Sequence, residues 1–476
     1  MTINRTIEPI EIEDQQIFNS APYDVFVYSA YYYNHSKSLG KSAIALLITA
    51  DFEVLEKVKS IELLAINKTE RVMATAELER VTIHDACKWI TMIATVPLIP
   101  NLSLVFVSLG GNHAPLPFQV APVAPKPVIV CISPLFAAEN WQNLFMALHV
   151  YRKYGAHMHL YIRSVVSPML EILRVYESEH YVTLEPWNRI NLLNRDERDF
   201  NPNLNVEFRS QAAAQTDCLL RYKESAEYIV FLDLDDLLIP RLANNYLSEF
   251  KFFTSEHPTA AYFTYTKENT KTFAYKRANV FSIQHMLRSI KYEKSTETGK
   301  MVVRPSMINS TWIHWPNKEL TKYDIDAAQN SITHLKHIEM IDGMGSYNDN
   351  VPFYDPSVEP NDNQPLISDK DIKQIEKNFN MMSWKSSIRR HLRNLPNSYN
   401  YTNLIGKCFE ESYYKYHTGK TQGVMLCPGP ERCDLSSFKT KCWNSVGEYH
   451  STRDGKLINI HYAENPDFSL SDGCIV

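Results

Sequence analysis

Three carboxylates lie within four residues of this chain, at Asp233, Asp235 and Asp236. They directly follow the β-forming run 228–232, which is entirely apolar or aromatic. Carboxylates this close repel one another, and a cation held between them relieves that repulsion. The cluster therefore predicts a divalent metal site. The alternative interpretation is a solvated acidic turn that precedes the next helix.

The elements before the acids alternate between strand and helix patterns. Strands are predicted at 128–132, 157–162, 181–184 and 228–232, and helices at 140–154, 169–179 and 206–224. This alternation predicts a parallel sheet covered by helices, in which ligands bind beyond the carboxyl ends of the strands. The acids follow the fourth strand, so we expect them to face a binding crevice.

The chain contains no backbone loop of the kind that cradles phosphate groups. It has only 14 glycines in 476 residues, with neither a Walker loop nor a G-x-G-x-x-G turn. An enzyme that releases a nucleoside diphosphate without such a loop can use a bound metal as a Lewis acid. The acidic cluster could supply that metal site.

A second enzyme class also fits the segment VFLDLDDLL. It is similar to the nucleophile motif of haloacid-dehalogenase phosphatases, with Asp233 as nucleophile and Asp235 as acid. Two features disfavour this interpretation. Leu237 replaces the usual threonine, and about a hundred residues of α/β pattern precede a motif that normally opens its domain.

The predicted helix before the acidic cluster carries two pairs of polar residues at helical spacing. Gln215 lies four residues after Gln211, and Arg221 lies four residues after Asp217, so each pair shares a face. Gln215, Asp217 and Arg221 are candidates for contacts with a nucleotide. The alternative is a salt bridge within the helix and ordinary packing.

Three segments resemble glycosyltransferase family 92, over roughly residues 127–337. They are the stretch QAAAQTDCLLRYKESAEYIVFLDLDDLLIP, the opening unit PLFAAENWQNLFMALHVYRKYGAHMHLYIRS and the later stretch MVVRPSMINSTWIHWP. The resemblance implies a GT-A-type α/β fold, with a mixed, mostly parallel sheet flanked by helices. It also implies a manganese-dependent enzyme that transfers galactose from UDP-galactose to a glycan acceptor, in which fucose is one acceptor sugar. A catalytically silent glycan-binding member of the family is the alternative.

We expect the transfer to invert the configuration at the anomeric carbon of the sugar. Such a reaction requires a base that takes the proton of the acceptor hydroxyl, and we expect this base after residue 303. Glu339 and Asp342 are the favoured candidates, and Glu319, Asp324 and Asp326 remain open. A further metal ligand or diphosphate contact is expected among the downstream histidines, with His314 and His334 ahead of His337. Trp187 and Trp315 could stack on an acceptor sugar.

The overall organisation is expected to have three parts. These are an N-terminal β-rich extension with a Pro-rich connector (1–126), a catalytic core (127–344) and a C-terminal region with a Cys-rich tail (345–476).

Five of the eight cysteines follow residue 400 without a Cys-x-x-Cys pair, which favours disulfides over zinc. The net charge of −5, without long basic runs, argues against nucleic acid as a partner. No leader or membrane-spanning stretch is visible in the sequence; the cysteines favour the secretory pathway, and the resemblance implies a membrane-anchored Golgi enzyme.

Overall fold

A computed structural model describes most of the chain between Asp24 and Ile475. The described residues are 24–53, 58–81, 86–109, 112–193, 195–316, 322–324, 330–342, 367–417, 419, 421–453 and 459–475. The candidate bases Glu319 and Asp326 lie outside this part of the chain. No helix within the described residues is both long and apolar enough to cross a bilayer.

The N-terminal part contributes strands before any described helix. These strands are β1 (Asp24–Ser36), β2 (Gly40–Asp51), β3 (Ser60–Ile66), β4 (Arg71–Arg80), β5 (Trp89–Pro97), β6 (Leu104–Leu109), β7 (Asn112–Pro115) and β8 (Gln119–Val120). The region between residues 24 and 127 is thus β-rich in its described residues.

Strands and helices then alternate up to the acidic cluster. The elements are β9 (Val128–Leu135), α1 (Trp141–Lys153), β10 (His157–Ile162), β11 (Ser164–Val166), α2 (Ser167–Ser178), β12 (Val182–Pro186), α3 (Gln211–Tyr222), β13 (Tyr228–Leu232) and β14 (Asp236–Leu238). The strands predicted at 157–162 and 228–232 coincide with β10 and β13.

The remaining elements complete both sheets and add a small helical layer. They are α4 (Tyr246–Glu256), β15 (Tyr262–Tyr275), α5 (Ile283–Arg288), β16 (Lys291–Val303), β17 (Lys322–Asp324), β18 (Ile332–Ile341), α6 (Asp369–Ser383), α7 (Ser386–Leu392), α8 (Asn400–Phe409), α9 (Lys415–His417), β19 (Lys441–Arg453) and β20 (Asn459–Asp472).

The described strands form two sheets. The larger has the order β11-β19-β20-β1-β2-β5-β4-β3-β6-β7, with β8 paired to β1. The C-terminal hairpin β19–β20 therefore lies in the same sheet as the N-terminal strands, where β20 runs parallel to β1. The second sheet has the order β12-β10-β9-β13-β16-β15-β18-β14, with β17 beside β15.

The second sheet is mixed, and the expected mostly parallel arrangement describes only its first half. Strands β12, β10, β9 and β13 are mutually parallel. Beyond β13, the pairs β13–β16, β16–β15 and β14–β18 are antiparallel, whereas β15–β18 is parallel. The connection between β15 and β16 contains the short helix α5, and the two strands that it joins are antiparallel neighbours.

Alternate residues of the parallel strands pack on opposite faces. Val130 packs in the core formed with α1 and α2, whereas Cys131 packs with α3 and strands β1 and β2. The register places Leu232 beside Ile132 and Leu135 beside Ile162, so these strands end at one common edge. The acids that follow β13 lie at this carboxyl edge.

The helix predicted over 206–224 is shorter in the structure. Phe208, Arg209 and Ser210 adopt positive φ values of 37°, 58° and 61°, a left-handed conformation that interrupts a right-handed helix. The regular helix α3 therefore begins at Gln211. This start places the Gln211 side chain against the acidic cluster.

All eight cysteines are paired in four disulfides. Cys408–Cys433 and Cys442–Cys474 lie within the C-terminal region, and Cys87–Cys427 joins that region to the N-terminal part. Cys131–Cys218 joins β9 to α3. The prediction of disulfides instead of a zinc cluster is confirmed.

Candidate metal centre

Two acids and one histidine form a compact group at the carboxyl edge of the mixed sheet. Asp236 in β14 lies directly opposite His334 in β18, and Asp236 Oδ1 is 3.0 Å from His334 Nδ1. One ligand atom from each of Asp235, Asp236 and His334 lies within 4.8 Å of the other two. We call these three residues the Asp–His group. Two carboxylates and an imidazole so arranged could hold a metal ion.

The Asp–His group is open to solvent on one side. Asp236 and His334 are buried, whereas the Asp235 side chain is 41% exposed. Within the described part of the chain, neither carboxylate oxygen of Asp235 accepts a hydrogen bond. This carboxylate is therefore available to an incoming ligand.

The charges in the Asp–His group influence one another strongly. Loss of solvation inside the cluster raises the pKa of Asp235 although its side chain is partly exposed, and the neighbouring Asp236 carboxylate raises it further. Burial opposes ionisation of Asp236, but the hydrogen bond from His334 and the charge of Lys267 lower its pKa overall. Burial likewise opposes protonation of His334, yet its contacts with Asp236 and Asp235 raise its pKa. The acids thus favour a positive charge between them.

Asp233 lies beside the Asp–His group and is held by protein donors. Its Oδ1 accepts hydrogen bonds from Ser133 Oγ at 2.9 Å and Gln211 Nε2 at 2.8 Å, and Lys300 Nζ is 2.9 Å from Oδ2. Burial alone would raise the pKa of Asp233, but Lys300 and Lys267 outweigh it and hold the pKa well below its usual range. Both oxygens of Asp233 are thus engaged by the protein itself.

The two favoured histidines lie in different environments. His314 Nδ1 donates to the carbonyl of Gly299 at 2.8 Å, and its ring lies against Trp312 and Trp315. Burial and the positive charge of Lys300 lower its pKa to about 4. The structure therefore places His334, and not His314, in the Asp–His group. His337 is exposed and lies 3.4 Å from Glu293.

The three predicted nucleotide contacts of helix α3 do not reach the acids. Gln215 is buried, and its amide atoms have no hydrogen-bond partner among the described residues. Asp217 accepts hydrogen bonds from Ser29 at 2.5 Å and Tyr161 at 2.6 Å. Arg221 pairs with Glu185 at 2.5 Å instead of with Asp217. The residue that does contact Asp233 is Gln211, one turn before Gln215.

The two candidate sugar-stacking tryptophans also lie apart. Trp187 is buried and stacks on Tyr28, with ring centroids 4.5 Å apart, and it lines a cavity of about 300 Å³ together with Asp217. Trp315 is 36% exposed and lies beside His314.

The favoured base candidates lie farther along β18. Glu339 is exposed, and at about 3.3 Å per residue it lies roughly 16 Å along the strand from His334. Asp342 is exposed and pairs with Lys276 at 2.9 Å. The structure does not bring either carboxylate to the Asp–His group.

Sequence reasoning missed several residues that surround the acids. Lys267 Nζ is 3.1 Å from Asp236 Oδ1, and Lys300 contacts Asp233. Glu297 Oε2 lies 3.9 Å from His334 Nε2. These residues come from β15 and β16, between 34 and 67 positions after Asp233 by their numbers, so no short motif could have indicated them.

Fold and site together define an α/β protein with a potential cation site at the carboxyl edge of a mixed sheet. The sequence model of "Glycosyltransferase family 92" matches residues 126–383. A glycosyltransferase family 92 protein of Caenorhabditis elegans is 68% identical over 470 residues, covering 99% of this chain and 94% of the relative. A second family 92 protein of that organism is 35% identical over 462 residues, covering 95% and 90%. The chain belongs to glycosyltransferase family 92, which supports glycosyltransferase activity.

Two further similarities are more limited. The beta-1,4-galactosyltransferase galt-1 of Caenorhabditis elegans is 30% identical over 148 residues, covering 31% of each chain. The crystal structure of S. aureus TarS 1–349 matches with a TM-score of 0.27 and 10% identity, covering 44% of this chain and 60% of TarS. A structural match at this level carries no argument about this chain.

Proposed function

We propose that this chain is a metal-dependent glycosyltransferase with a GT-A-type core, in which Asp235, Asp236 and His334 hold a divalent cation beside the diphosphate of a nucleotide sugar. The observation that carries the proposal is the Asp–His group itself, whose ligand atoms lie within 4.8 Å of one another in a family 92 chain. Its position at the carboxyl edge of the sheet is where open α/β sheets bind ligands.

The residues present fit a divalent cation of the manganese type. Carboxylate oxygens suit Mg²⁺ and Mn²⁺, and the additional imidazole favours a transition-metal ion over Mg²⁺. Asp235 offers two oxygens with no protein donor in the described residues, on a side chain that is 41% exposed. A cation bound there would act as a Lewis acid on the departing diphosphate.

The transfer reaction then requires one nucleophile and one base. The acceptor hydroxyl oxygen bonds to the anomeric carbon while the bond from that carbon to the diphosphate oxygen breaks. The bonding electrons leave with the diphosphate, and the hydroxyl proton passes to the base. Direct displacement of this kind inverts the configuration at the anomeric carbon.

Glu297 is better placed as this base than either Glu339 or Asp342. Its carboxylate lies 3.9 Å from His334, and its side chain is 38% exposed. Replacing Glu297 by Gln should lower kcat by about 10²–10⁴-fold, the usual contribution of a general base. The matched change Glu339→Gln should leave kcat unchanged. Equal activity of both variants would remove Glu297 from the mechanism.

Galactose is the sugar that we propose for transfer, with UDP-galactose as donor and a glycan as acceptor. The family resemblance and the partial similarity to galt-1 support this choice. A screen of UDP-sugars with Mn²⁺ and a panel of glycan acceptors, fucosylated ones included, tests it. Highest turnover with another UDP-sugar would exclude galactose while leaving the transferase proposal intact.

We also propose that the enzyme works in the lumen of the secretory pathway, in the Golgi, where the family resemblance implies membrane anchoring. Four disulfides engage every cysteine of the chain. Disulfides persist in oxidising compartments and are rare in the cytosol. Imaging of the full chain against Golgi and cytosolic markers tests the location.

The direct test of the proposed activity is sugar transfer with and without a chelator. Purified protein with UDP-galactose, Mn²⁺ and acceptor should release UDP and form glycoside, and EDTA should stop both. Turnover of a generic phosphate ester without sugar transfer would instead favour the phosphatase reaction. Retained glycan binding with no donor turnover would indicate a silent family member.

A further inference from the structure

Two lysines lie buried beside the acids. Lys267 on β15 is 6% exposed and Lys300 on β16 is 2% exposed. Lys300 lies directly opposite Tyr265 in the pairing of β16 with β15, and Lys267 follows Tyr265 by two residues on β15. The two lysines are therefore close neighbours on adjacent strands. Lysine is almost never fully buried unless its ammonium group is paired. These two are buried because the acids pair with them.

The ammonium groups contact carboxylate oxygens that a cation would need as ligands, and they are themselves the donors that a diphosphate would need. Lys267 Nζ is 3.1 Å from Asp236 Oδ1, the oxygen that also lies 3.0 Å from His334 Nδ1. It is also 3.9 Å from Asp233 Oδ2, which Lys300 Nζ approaches to 2.9 Å. The second oxygen of Asp236 accepts the backbone N–H of Asp233 at 3.2 Å. A cation in the Asp–His group must therefore compete with Lys267 for Asp236.

The local charge balance makes that competition depend on an anion. Asp233, Asp235 and Asp236 face two ammonium groups and one histidine, and the neighbouring Glu297 is itself paired with Lys336 at 2.6 Å, so the protein already compensates most of the acidic charge. A divalent cation added alone would leave positive charge close to both lysines. A diphosphate removes this excess, because its oxygens are strong acceptors for lysine. Asp233, which both lysines approach, is 31% exposed, so an anion arriving there comes within reach of both ammonium groups.

We propose that Lys267 and Lys300 are diphosphate-binding residues that, without donor, neutralise the acids in place of the metal. This inference rests on the proposed function. When a nucleoside diphosphate binds, the ammonium groups turn from the acids to the phosphate oxygens, and Asp236 becomes free for the cation. Cation and diphosphate thus strengthen each other's binding.

A third buried lysine supplies a matched control. Lys223 is 1% exposed and lies at the end of α3, where its ammonium group donates to the carbonyls of Pro305 and Ile308. It contacts no acid of the cluster in the described residues. Loss of its charge tests the general effect of removing a buried lysine.

Two titrations on the folded protein test the proposal. The first measures UDP affinity in EDTA by calorimetry, with uridine as the probe that lacks phosphate. Lys267→Met and Lys300→Met should each weaken UDP binding by about 10–100-fold, the usual worth of a hydrogen bond to a charged group, and leave uridine binding unchanged. Lys223→Met should leave both unchanged.

The second titration measures Mn²⁺ affinity without nucleotide by electron paramagnetic resonance. Lys267→Met should tighten Mn²⁺ binding by at least about fivefold, the low end of usual coupling between sites. Opposite changes in metal and UDP affinity distinguish this role from a structural one, which would weaken both. Unchanged or weaker Mn²⁺ binding in Lys267→Met overturns the proposal.

The wild-type protein gives a third result that needs no variant. Its Mn²⁺ affinity should tighten when UDP is present, after correction for the Mn²⁺–UDP complex in solution. Wild-type protein that transfers sugar and binds Mn²⁺ with no response to UDP overturns the lysine proposal alone. Wild-type protein that neither binds Mn²⁺ nor transfers sugar overturns the proposed function as well. Melting temperatures establish that each variant is folded.

Discussion

Two acidic regions contact helix α3, one at its N-terminal end and one near its middle, and they differ in whether the protein already satisfies the carboxylate oxygens. At its N-terminal end, Gln211 contacts Asp233 beside the Asp–His group, where Asp235 keeps both oxygens available. One and a half turns later, Asp217 is buried and its carboxylate is satisfied by Ser29 and Tyr161. Acidic residues that end a strand can face a ligand, whereas an acid buried in the middle of a helix must find its partners within the protein.

The largest expected difference between the two regions is in the chemical step. Asp235→Asn removes the charge of a carboxylate that we propose as a ligand of the cation. The kcat for sugar transfer should therefore fall by about 10³-fold or more. Asp217→Asn should leave kcat nearly unchanged and lower the free energy of unfolding by about 2 kcal/mol, because a charged acceptor of hydrogen bonds is lost. Steady-state kinetics and urea unfolding of both variants measure these two effects. Equal losses of kcat in the two variants would contradict the different roles given to Asp235 and Asp217.

Removal of the disulfide that joins the two regions should have the next largest effect, which is on the free energy of unfolding. Cys131–Cys218 joins β9, which carries Ser133, to α3, which carries Gln211 and Asp217, across a sequence separation of 87 residues. Replacing both cysteines by alanine should lower the free energy of unfolding by about 4 kcal/mol, because the unfolded chain gains conformational freedom. Urea denaturation measures it. The pair Cys442–Cys474, with a separation of 32, should cost less when removed in the same way.

His334 and His314 should differ in their effect on the pH dependence of Mn²⁺ affinity. The pKa of His334 is raised by Asp236 and Asp235, and a protonated imidazole cannot bind metal. Mn²⁺ affinity should therefore weaken as the pH falls through and below this raised pKa. His334→Gln should weaken binding by at least about tenfold at pH 8 and remove this pH dependence.

His314→Gln is the control for that experiment. The pKa of His314 is about 4, so this side chain stays neutral across the same pH range. The variant should keep the wild-type pH profile of Mn²⁺ binding. A loss of metal affinity in His314→Gln as large as in His334→Gln would mean that both histidines bind the cation.

The smallest predicted effect compares two glutamines one turn apart. Gln211→Ala removes a donor to Asp233 and Ser133 and should lower kcat by about tenfold, the value of roughly one net hydrogen bond. Gln215→Met should leave kcat unchanged and stabilise the fold by up to about 1 kcal/mol, because its amide atoms have no partner in the described residues. If Gln215→Met lowers kcat more than Gln211→Ala, the wrong glutamine has been placed at the site.

The parallel half of the mixed sheet was predictable because each of its strands is a local pattern. The runs 157–162 and 228–232 are β-forming segments between helical stretches, and both are strands with the same bounds in the structure. The antiparallel half was not predictable, since pairing between β15, β16 and β18 depends on contacts distant in sequence. The start of α3 at Gln211 also escaped prediction, because left-handed conformations at Phe208–Ser210 have no signal in these residue types.

The same distinction applies to the candidate site. Asp235 and Asp236 were identifiable because they follow a buried strand within a few residues. His334 could be named only as one of several histidines, and its choice depends on the β14–β18 register. Lys267 and Lys300 carry no local signal in the sequence, and only the tertiary structure buries both against the acids. Whether these residues form the working site stays a prediction.

The central claim is that a cation binds between Asp235, Asp236 and His334 with the donor diphosphate beside it. A crystal of the protein with Mn²⁺ and UDP, measured for anomalous scattering of manganese, tests this claim most directly. We predict one strong anomalous peak in contact with ligand atoms of all three residues and with a phosphate oxygen. A manganese peak elsewhere, with UDP bound and the three side chains unliganded, would contradict it.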